Sequence, residues 1–158
     1  MRFDLQRTDA DDVHFKSLIP LLDQYLSITD GDDHEFYNQF NQLEQINHVV
    51  VAYQDSKAVG CGAIKKVDAQ TVEIKRMFTL ETVRGKGVAT QILKELEKWA
   101  EELGFSVCRL ETGIHQPEAI ALYKKNGYSV IPNYDQYVGM ELSICFEKSL
   151  LKNKCYLT

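Results

Sequence analysis

No run of eighteen apolar residues occurs anywhere in this chain, so no segment is patterned to cross a membrane as a helix. The N-terminal stretch MRFDLQRTDADD also lacks the apolar core of a secretory leader, and cytoplasmic residence is the expectation. An excess of positive charge is missing as well. With 18 Lys and Arg against 23 Asp and Glu the net charge is −5, which gives a nucleic-acid-binding face no bulk electrostatic support. Cys61, Cys108, Cys145 and Cys155 are far apart and form no C-x-x-C pair, so neither a zinc site nor a redox motif is expected, and buried reduced thiols are. Three prolines in 158 residues, with no repeat and no low-complexity stretch, argue against long disorder. That length suits one domain burying roughly two thirds of its unfolded surface. Residues 1–150 are expected to form it, with 151–158 as a tail.

What is present is concentrated in residues 72–104. A stretch of β-branched, aromatic and charged residues reads as a strand, then Arg84-Gly85-Lys86-Gly87 leads directly into a periodic segment. Val88, Ile92, Leu93, Leu96, Trp99, Ala100 and Leu103 recur at helical spacing and make one apolar face. Gly104 suits the residue just past a helix C-terminus. At the other end the first N–H groups have no intrahelical partner and the helix dipole is positive. Glycines that allow close approach therefore make an anion site there, with Arg84 and Lys86 adding charge.

A strand, a glycine-rich turn and a helix fit three readings. A P-loop needs Gly-x-x-x-x-Gly-Lys-Ser/Thr, and no glycine stands at the required distance before Gly85-Lys86. A dinucleotide turn is harder to exclude, since Gly85-x-Gly87 follows a strand and Glu111 ends the next strand about where a ribose-binding acid sits. Its third glycine is missing, however, with Thr90 in that place. The pyrophosphate loop of an acyl-CoA enzyme fits without repair.

Along the chain, residues 2–8 read as a strand and Asp9 to Asp12 as capping carboxylates. Val13 to about Ile28 reads as a helix interrupted or broken at Pro20. Residues 30–33 read as a turn and His34 to Phe40 as a short helix. His48–Tyr53 and Ala58–Lys65 form a hairpin about Asp55-Ser56-Lys57, followed by a strand from Thr71 to Thr79. Three sequential antiparallel strands disagree with a dinucleotide fold, which alternates strands and helices from its start. Phe105–Leu110, reached through a helix, should lie parallel to the preceding strand with a right-handed crossover. Pro117 opens a further helix that ends at Asn126-Gly127. Tyr128–Ile131 is a short strand, Asn133–Gly139 a loop with two tyrosines, and Met140–Lys148 an alternating last strand.

Arg84-Gly85-Lys86-Gly87-Val88-Ala89 matches Arg/Gln-x-x-Gly-x-Gly/Ala, the coenzyme A loop of the GNAT superfamily of N-acetyltransferases. Gln116-x-x-Ala119-x-x-Leu122-Tyr123-x-x-x-Gly127-Tyr128 resembles that family's second signature, in which Asn stands where this chain has Gln116. The order of elements is similar to the family's over nearly the whole chain. Glu111 to Ala119, Asn133-Tyr134 and the late Glu141 to Lys148 resemble a bacterial subgroup of small acetyltransferases. The resemblance implies an α/β (α+β) fold with a mixed, mostly antiparallel sheet, a central parallel pair and flanking helices. It implies acetyl-CoA as cosubstrate, no metal, a small-molecule amine or peptide as acceptor, no nucleic-acid or membrane partner, and room for a homodimer.

The same resemblance implies the residues. The edge of the Glu73–Thr79 strand, at Met77, Phe78 and Thr79, would bond the pantetheine arm where this strand splays from the 105–112 strand. Backbone N–H groups of Arg84, Gly85, Lys86, Gly87, Val88, Ala89 and Thr90 would hold the pyrophosphate, and Gln116 would contact the coenzyme. Tyr123 stands at the family's general acid: a phenol with pKa near 10 can protonate a thiolate whose thiol has pKa around 8.5. Glu73 occupies the general-base position of some relatives, although a cross-strand partner for a Lys or Arg is an equal reading. Glu111 is the rival base or an acceptor-binding carboxylate, and Asp33 and His34 are weaker candidates beside the acceptor. A coenzyme A-binding sensor without turnover and a nucleotide-dependent oxidoreductase are the competing functions.

Overall fold

The structure is a computed structural model that describes residues 2–30 and 46–151. Its strands form one seven-stranded sheet in the order β1-β2-β3-β4-β5-β7-β6, made of β1 (Asp4–Thr8), β2 (His48–Gln54), β3 (Lys57–Lys66), β4 (Thr71–Thr79), β5 (Val107–Gly113), β6 (Ser129–Ile131) and β7 (Ser143–Ser149). The helices are α1 (Val13–Asp30), α2 (Val88–Glu102) and α3 (Pro117–Lys125). The expected parallel pair is β4 with β5, in register from Thr71↔Val107 to Glu73↔Arg109, and the β1–β2, β2–β3, β5–β7 and β6–β7 ladders are antiparallel. This is the mixed sheet with a central parallel pair that the family resemblance implies. Among the described residues no helix is long and apolar enough to cross a membrane.

By backbone contacts the chain divides into two compact units, Met1–Lys65 with Ile74–Leu96, and Lys66–Glu73 with Glu97–Thr158. In the first, Phe15, Leu18 and Ile19 of α1 pack with Val49 and Val51 of β2 and Cys61 and Ala63 of β3. The expected acidic cap of α1 is Asp12, whose Oδ1 accepts the N–H groups of His14 (2.9 Å) and Phe15 (3.0 Å). Pro20 does not break the helix, which runs on to Asp30. Proline removes one hydrogen bond and crowds the preceding turn, but buried Leu18, Ile19 and Leu22 hold both sides of it in the core. The hairpin turn has two residues, Asp55 (φ 51°) and Ser56 (φ 67°), the signature of the turn whose twist matches paired strands. On β3, a Cβ at Gly62 would meet Met77 Sδ at 2.5 Å and Leu96 Cδ1 at 2.9 Å, so glycine there permits close packing of α2.

In the second unit α2 ends as expected at Gly104 (φ 96°), with Phe105 N–H donating to Ala100 O (3.0 Å) and Gly104 N–H to Glu101 O (3.0 Å). Leu103, just beyond the last helical turn, is 44% exposed and drops out of the apolar face. Gly127 (φ 92°) ends α3 in the same manner through Tyr128 N–H to Tyr123 O (3.0 Å). The last strand begins at Ser143 rather than Met140. Asn133 Nδ2 donates to the carbonyls of Tyr137 (3.1 Å), Met140 (3.0 Å) and Ser143 (3.2 Å), and these bonds fold the alternating Met140-Glu141-Leu142 into a turn. Cys61, Cys108 and Cys145 are free, buried thiols, and burial pushes them up to about 12, about 12 and about 11 respectively. The turn at 31–33, the helix from His34, Asp33, His34, Cys155 and the tail after Leu151 lie outside the described residues.

Candidate functional site

The residues singled out from the sequence fall into two groups. The first is backbone. A single 3-10 turn, Glu81–Val83, carries β4 into the glycine loop, where Arg84 N–H donates to Glu81 O and Lys86 N–H to Val83 O, both at 3.3 Å. Gly85 (φ 78°) and Gly87 (φ 85°) take the left-handed conformation that side chains disfavour, and a Cβ on either would meet nothing within 4 Å. Here glycine serves backbone conformation and leaves the space above the loop open. The first helical bond is Gln91 N–H to Gly87 O (3.1 Å), so Val88, Ala89 and Thr90 present their N–H groups at the positive end of α2. Arg84 is exposed, donates to Thr79 O (3.4 Å) and lies 5.1 Å from the Tyr25 ring centroid. Lys86 is also exposed, and Met77, Phe78 and Thr79 are half-buried at the end of β4. The loop thus combines free donors, two cations and open space, which is what a phosphate needs.

The second group is made of side chains. Tyr123, on α3, is buried among aromatic rings, with Tyr128 at 5.8 Å and Phe146 at 6.0 Å between centroids. Burial and, less strongly, the negative charge of Glu111 push its phenol well above the ordinary tyrosine value, so it stays protonated across the physiological range. Glu111 is half-buried on β5, opposite Cys145 of β7. Gln116 stands at the N-cap of α3, and its side chain makes no capping bond.

Glu73 is 6% exposed and, among the described residues, pairs with no Lys or Arg; instead it accepts a hydrogen bond on Oε2 from Tyr134 Oη at 2.8 Å. Tyr134 is itself clamped. The Arg109 guanidinium lies 3.8 Å from its ring centroid and also pairs with Asp135, while the Tyr137 ring stands edge-on at 5.7 Å. Burial, then the Glu73 charge, keeps the Tyr134 phenol protonated, and burial, then Glu111 and Glu73, does the same for Tyr137. Tyr137 therefore feels both candidate bases. Arg109, Tyr134 and Tyr137 have no singled-out role in the sequence reading. The signal the sequence offers for the two tyrosines is their shared loop at Asn133–Gly139, and for Arg109 it offers none.

A family model for GNAT acetyltransferases matches residues 15–128. A protein named IAA acetyltransferase from Azospirillum brasilense is 37% identical over 102 residues, covering 64% of this chain and 67% of that one. The N-acetyltransferase YjgM of Escherichia coli, whose own role is uncharacterized, is 32% identical over 112 residues, covering 69% of this chain and 66% of its own. The matched segments thus span about two thirds of these relatives. Among solved structures, a candidate acyl-CoA N-acyltransferase from Klebsiella pneumoniae superposes with a TM-score of 0.79 at 30% identity, covering 94% of this chain and 98% of that one. The PaiA N-acetyltransferase of Thermoplasma acidophilum, solved with coenzyme A, shares the fold at a TM-score of 0.70 and 18% identity, over 94% of this chain and 99% of its own. With a family model matched over most of its length, and with the fold and loop that the family's motifs require, this chain belongs to the GNAT family of acetyltransferases.

Proposed function

We propose that this protein transfers the acetyl group of acetyl-CoA to a primary amine by direct attack on the thioester. The observation that carries this reading is the Arg84–Thr90 loop, where two left-handed glycines open onto three N–H groups at the head of α2. Family membership supports it, and two proteins of the same fold were solved with acetyl-CoA or coenzyme A bound. In this reading the N–H groups of Val88, Ala89 and Thr90, with Arg84 and Lys86, hold the pyrophosphate. The pantetheine arm runs along Met77–Thr79, and Gln116 supplies a further contact to the coenzyme. The acceptor is a small amine or a peptide.

The amine nitrogen attacks the thioester carbonyl carbon. A C–N bond forms, the oxyanion collapses, the C–S bond breaks, and the departing sulfur takes a proton. Tyr123 supplies that proton, because its phenol is held protonated. The proton lost by the amine goes to a carboxylate, Glu73 or Glu111, or to water. Acid, base and a bound donor complete the chemistry, and no metal is required by it.

The test is acetyl-CoA consumption, read as free thiol, across a panel of amines. Turnover with at least one amine is expected. Tight acetyl-CoA binding with no turnover for any acceptor would make the protein a coenzyme A sensor instead. Binding of NAD without coenzyme A would overturn both readings.

A further inference from the structure

Glu73 of β4 and Arg109 of β5 stand opposite each other in the parallel register, on one face of the sheet. A carboxylate and a guanidinium so placed ordinarily join as an ion pair. Here they do not. The Arg109 guanidinium lies 3.8 Å from the Tyr134 ring centroid and pairs with Asp135, while the group that reaches Glu73 is the Tyr134 phenol, Oη to Oε2 at 2.8 Å. Tyr134 and Asp135 thus grip one guanidinium by ring face and by carboxylate, and the Tyr137 ring stands edge-on to Tyr134 at 5.7 Å. The phenol is aimed as a result.

The two donors differ in what they leave the carboxylate able to do. A guanidinium supplies a full positive charge and two N–H bonds, and a carboxylate held that way is a poor proton acceptor. A phenol supplies one hydrogen bond and no charge, which meets a buried carboxylate at a single oxygen. Tyr134 can only donate there, because burial and then the Glu73 charge keep its own proton in place. Among the described residues no donor reaches Glu73 Oε1, and that oxygen is not sealed from solvent. One oxygen is fixed and the other is open. The other charged groups around Glu73, among the described residues, are Arg109 and Glu111 in β5, Glu147 opposite Arg109 in β7, Asp135, Lys75 in β4 and Lys65 in the neighbouring β3. Tyr137 and Cys145 are held neutral by burial.

We propose that Tyr134 is a positioning residue for acetyl transfer: its phenol fixes Oε2 of Glu73 and leaves Oε1 to act as the base toward the acceptor amine. This rests on the transferase reading above, and it commits the proton to Glu73 rather than Glu111. As the C–N bond forms, an N–H bond of the amine breaks, its electron pair stays on nitrogen, and its proton passes to Oε1. Tyr134 keeps its own proton throughout. Arg109 acts one step further back, by seating the ring.

The test is kcat against pH for the full chain with acetyl-CoA and an amine that it turns over, both saturating. Wild type is compared with Tyr134→Phe, with Glu73→Gln, and with a protein carrying 3-fluorotyrosine in place of Tyr134. The surrounding charges are common to wild type and both changes at Tyr134, so a difference among these belongs to the phenol. Because kcat reports groups in the bound complex, the titration of the free amine drops out. Phenylalanine keeps the ring over Arg109 and removes only the hydroxyl. A donor to a charged oxygen favours the charged form, so in Tyr134→Phe the acidic limb is expected to move to higher pH by roughly one to two pH units, with acetyl-CoA affinity unchanged. Fluorine beside the hydroxyl makes the phenol a stronger donor, and there the limb is expected to move to lower pH. Glu73→Gln is expected to lose the limb. A Tyr134→Phe protein slowed equally at every pH would make the phenol a bond of the fold alone and overturn the proposal. If Tyr134→Phe fails to fold, the fluorinated protein decides, and an unmoved limb overturns the proposal in the same way. A limb that survives Glu73→Gln, or a wild-type profile without one, passes the proton to Glu111 or to water; the proposal then falls while the transferase reading stands. No turnover of any amine by wild type would sink the transferase reading and the proposal with it.

Discussion

The glycine loop and the tyrosine-clamped carboxylate use opposite means to prepare for charge. From Arg84 to Thr90 the donors are main-chain N–H groups, residues 84–87 are exposed, and two glycines leave room above them. At Glu73 the recognition is by side chain: Tyr134, from a loop sixty-one residues later, donates to a buried carboxylate and is itself pinned by Arg109 and Tyr137. The loop offers positive potential to a ligand that arrives with its own negative charge. The cluster has to keep a negative charge stable before any ligand arrives. Backbone suits the first task because it is tolerant of side-chain change. The second needs particular side chains brought together by the fold.

That contrast can be broken most severely at Tyr123. Tyr123→Phe is expected to lower kcat by roughly a hundredfold or more, the ordinary worth of a positioned acid, with acetyl-CoA affinity unchanged. An unchanged rate would remove the acid assignment. Gly87→Glu should weaken acetyl-CoA binding by roughly a hundredfold, because a left-handed φ of 85° strains any side chain and the new charge repels phosphate. Calorimetric titration measures it, and full affinity would disprove the loop's role. By the same logic Lys86→Ala should cost much less than Gly87→Glu, since the main chain carries most of the recognition.

At the cluster, Tyr134→Phe leaves the buried Glu73 carboxylate without its phenol donor and should destabilise the fold by about 1–3 kcal/mol in urea unfolding. Glu73→Gln should abolish the acidic limb of the rate profile if Glu73 is the base, and a limb that persists transfers the role to Glu111 or to water. The smallest effect is expected at the α1 cap. Burial alone would raise Asp12, but hydrogen bonds from Phe15, Thr8 and His14 outweigh it and hold the carboxyl below its ordinary 3.8. A depressed folded value means that this contribution is complete above the unfolded pKa and is lost as pH falls through the folded one. Asp12→Ala should therefore cost about 1 kcal/mol at neutral pH, and the difference from wild type should vanish in strong acid.

The division between what the sequence reveals and what it hides follows the same line. Arg84 to Ala89, the cap at Asp12, the Asp55-Ser56 turn and the glycine stops at 104 and 127 are local, since each depends on residues within one turn of one another, and each is legible. The order of elements along the chain, the parallel pair and the family follow from them. Pro20 misleads because local chain chemistry breaks a helix that buried Leu18, Ile19 and Leu22 hold together. Met140 misleads because alternation reads as a strand while Asn133, seven residues earlier, spends its amide on the intervening carbonyls. Glu73 is legible as a candidate, but Tyr134 as its partner is not, and nothing in the chain near Arg76 announces a left-handed residue in mid-strand (φ 58°). Such pairings are set by packing between segments distant in sequence.

The measurement that tests the account most directly is a thermal-unfolding scan with acetyl-CoA, with NAD and AMP as controls. Ligand at about a hundred times its dissociation constant should add about 2.7 kcal/mol, a rise of roughly 5 to 11 °C for a domain of this size. The account predicts that rise with acetyl-CoA alone. No rise with acetyl-CoA, or a larger one with NAD, would contradict it, and the roles given to the Arg84–Thr90 loop and to Tyr123 would fall together.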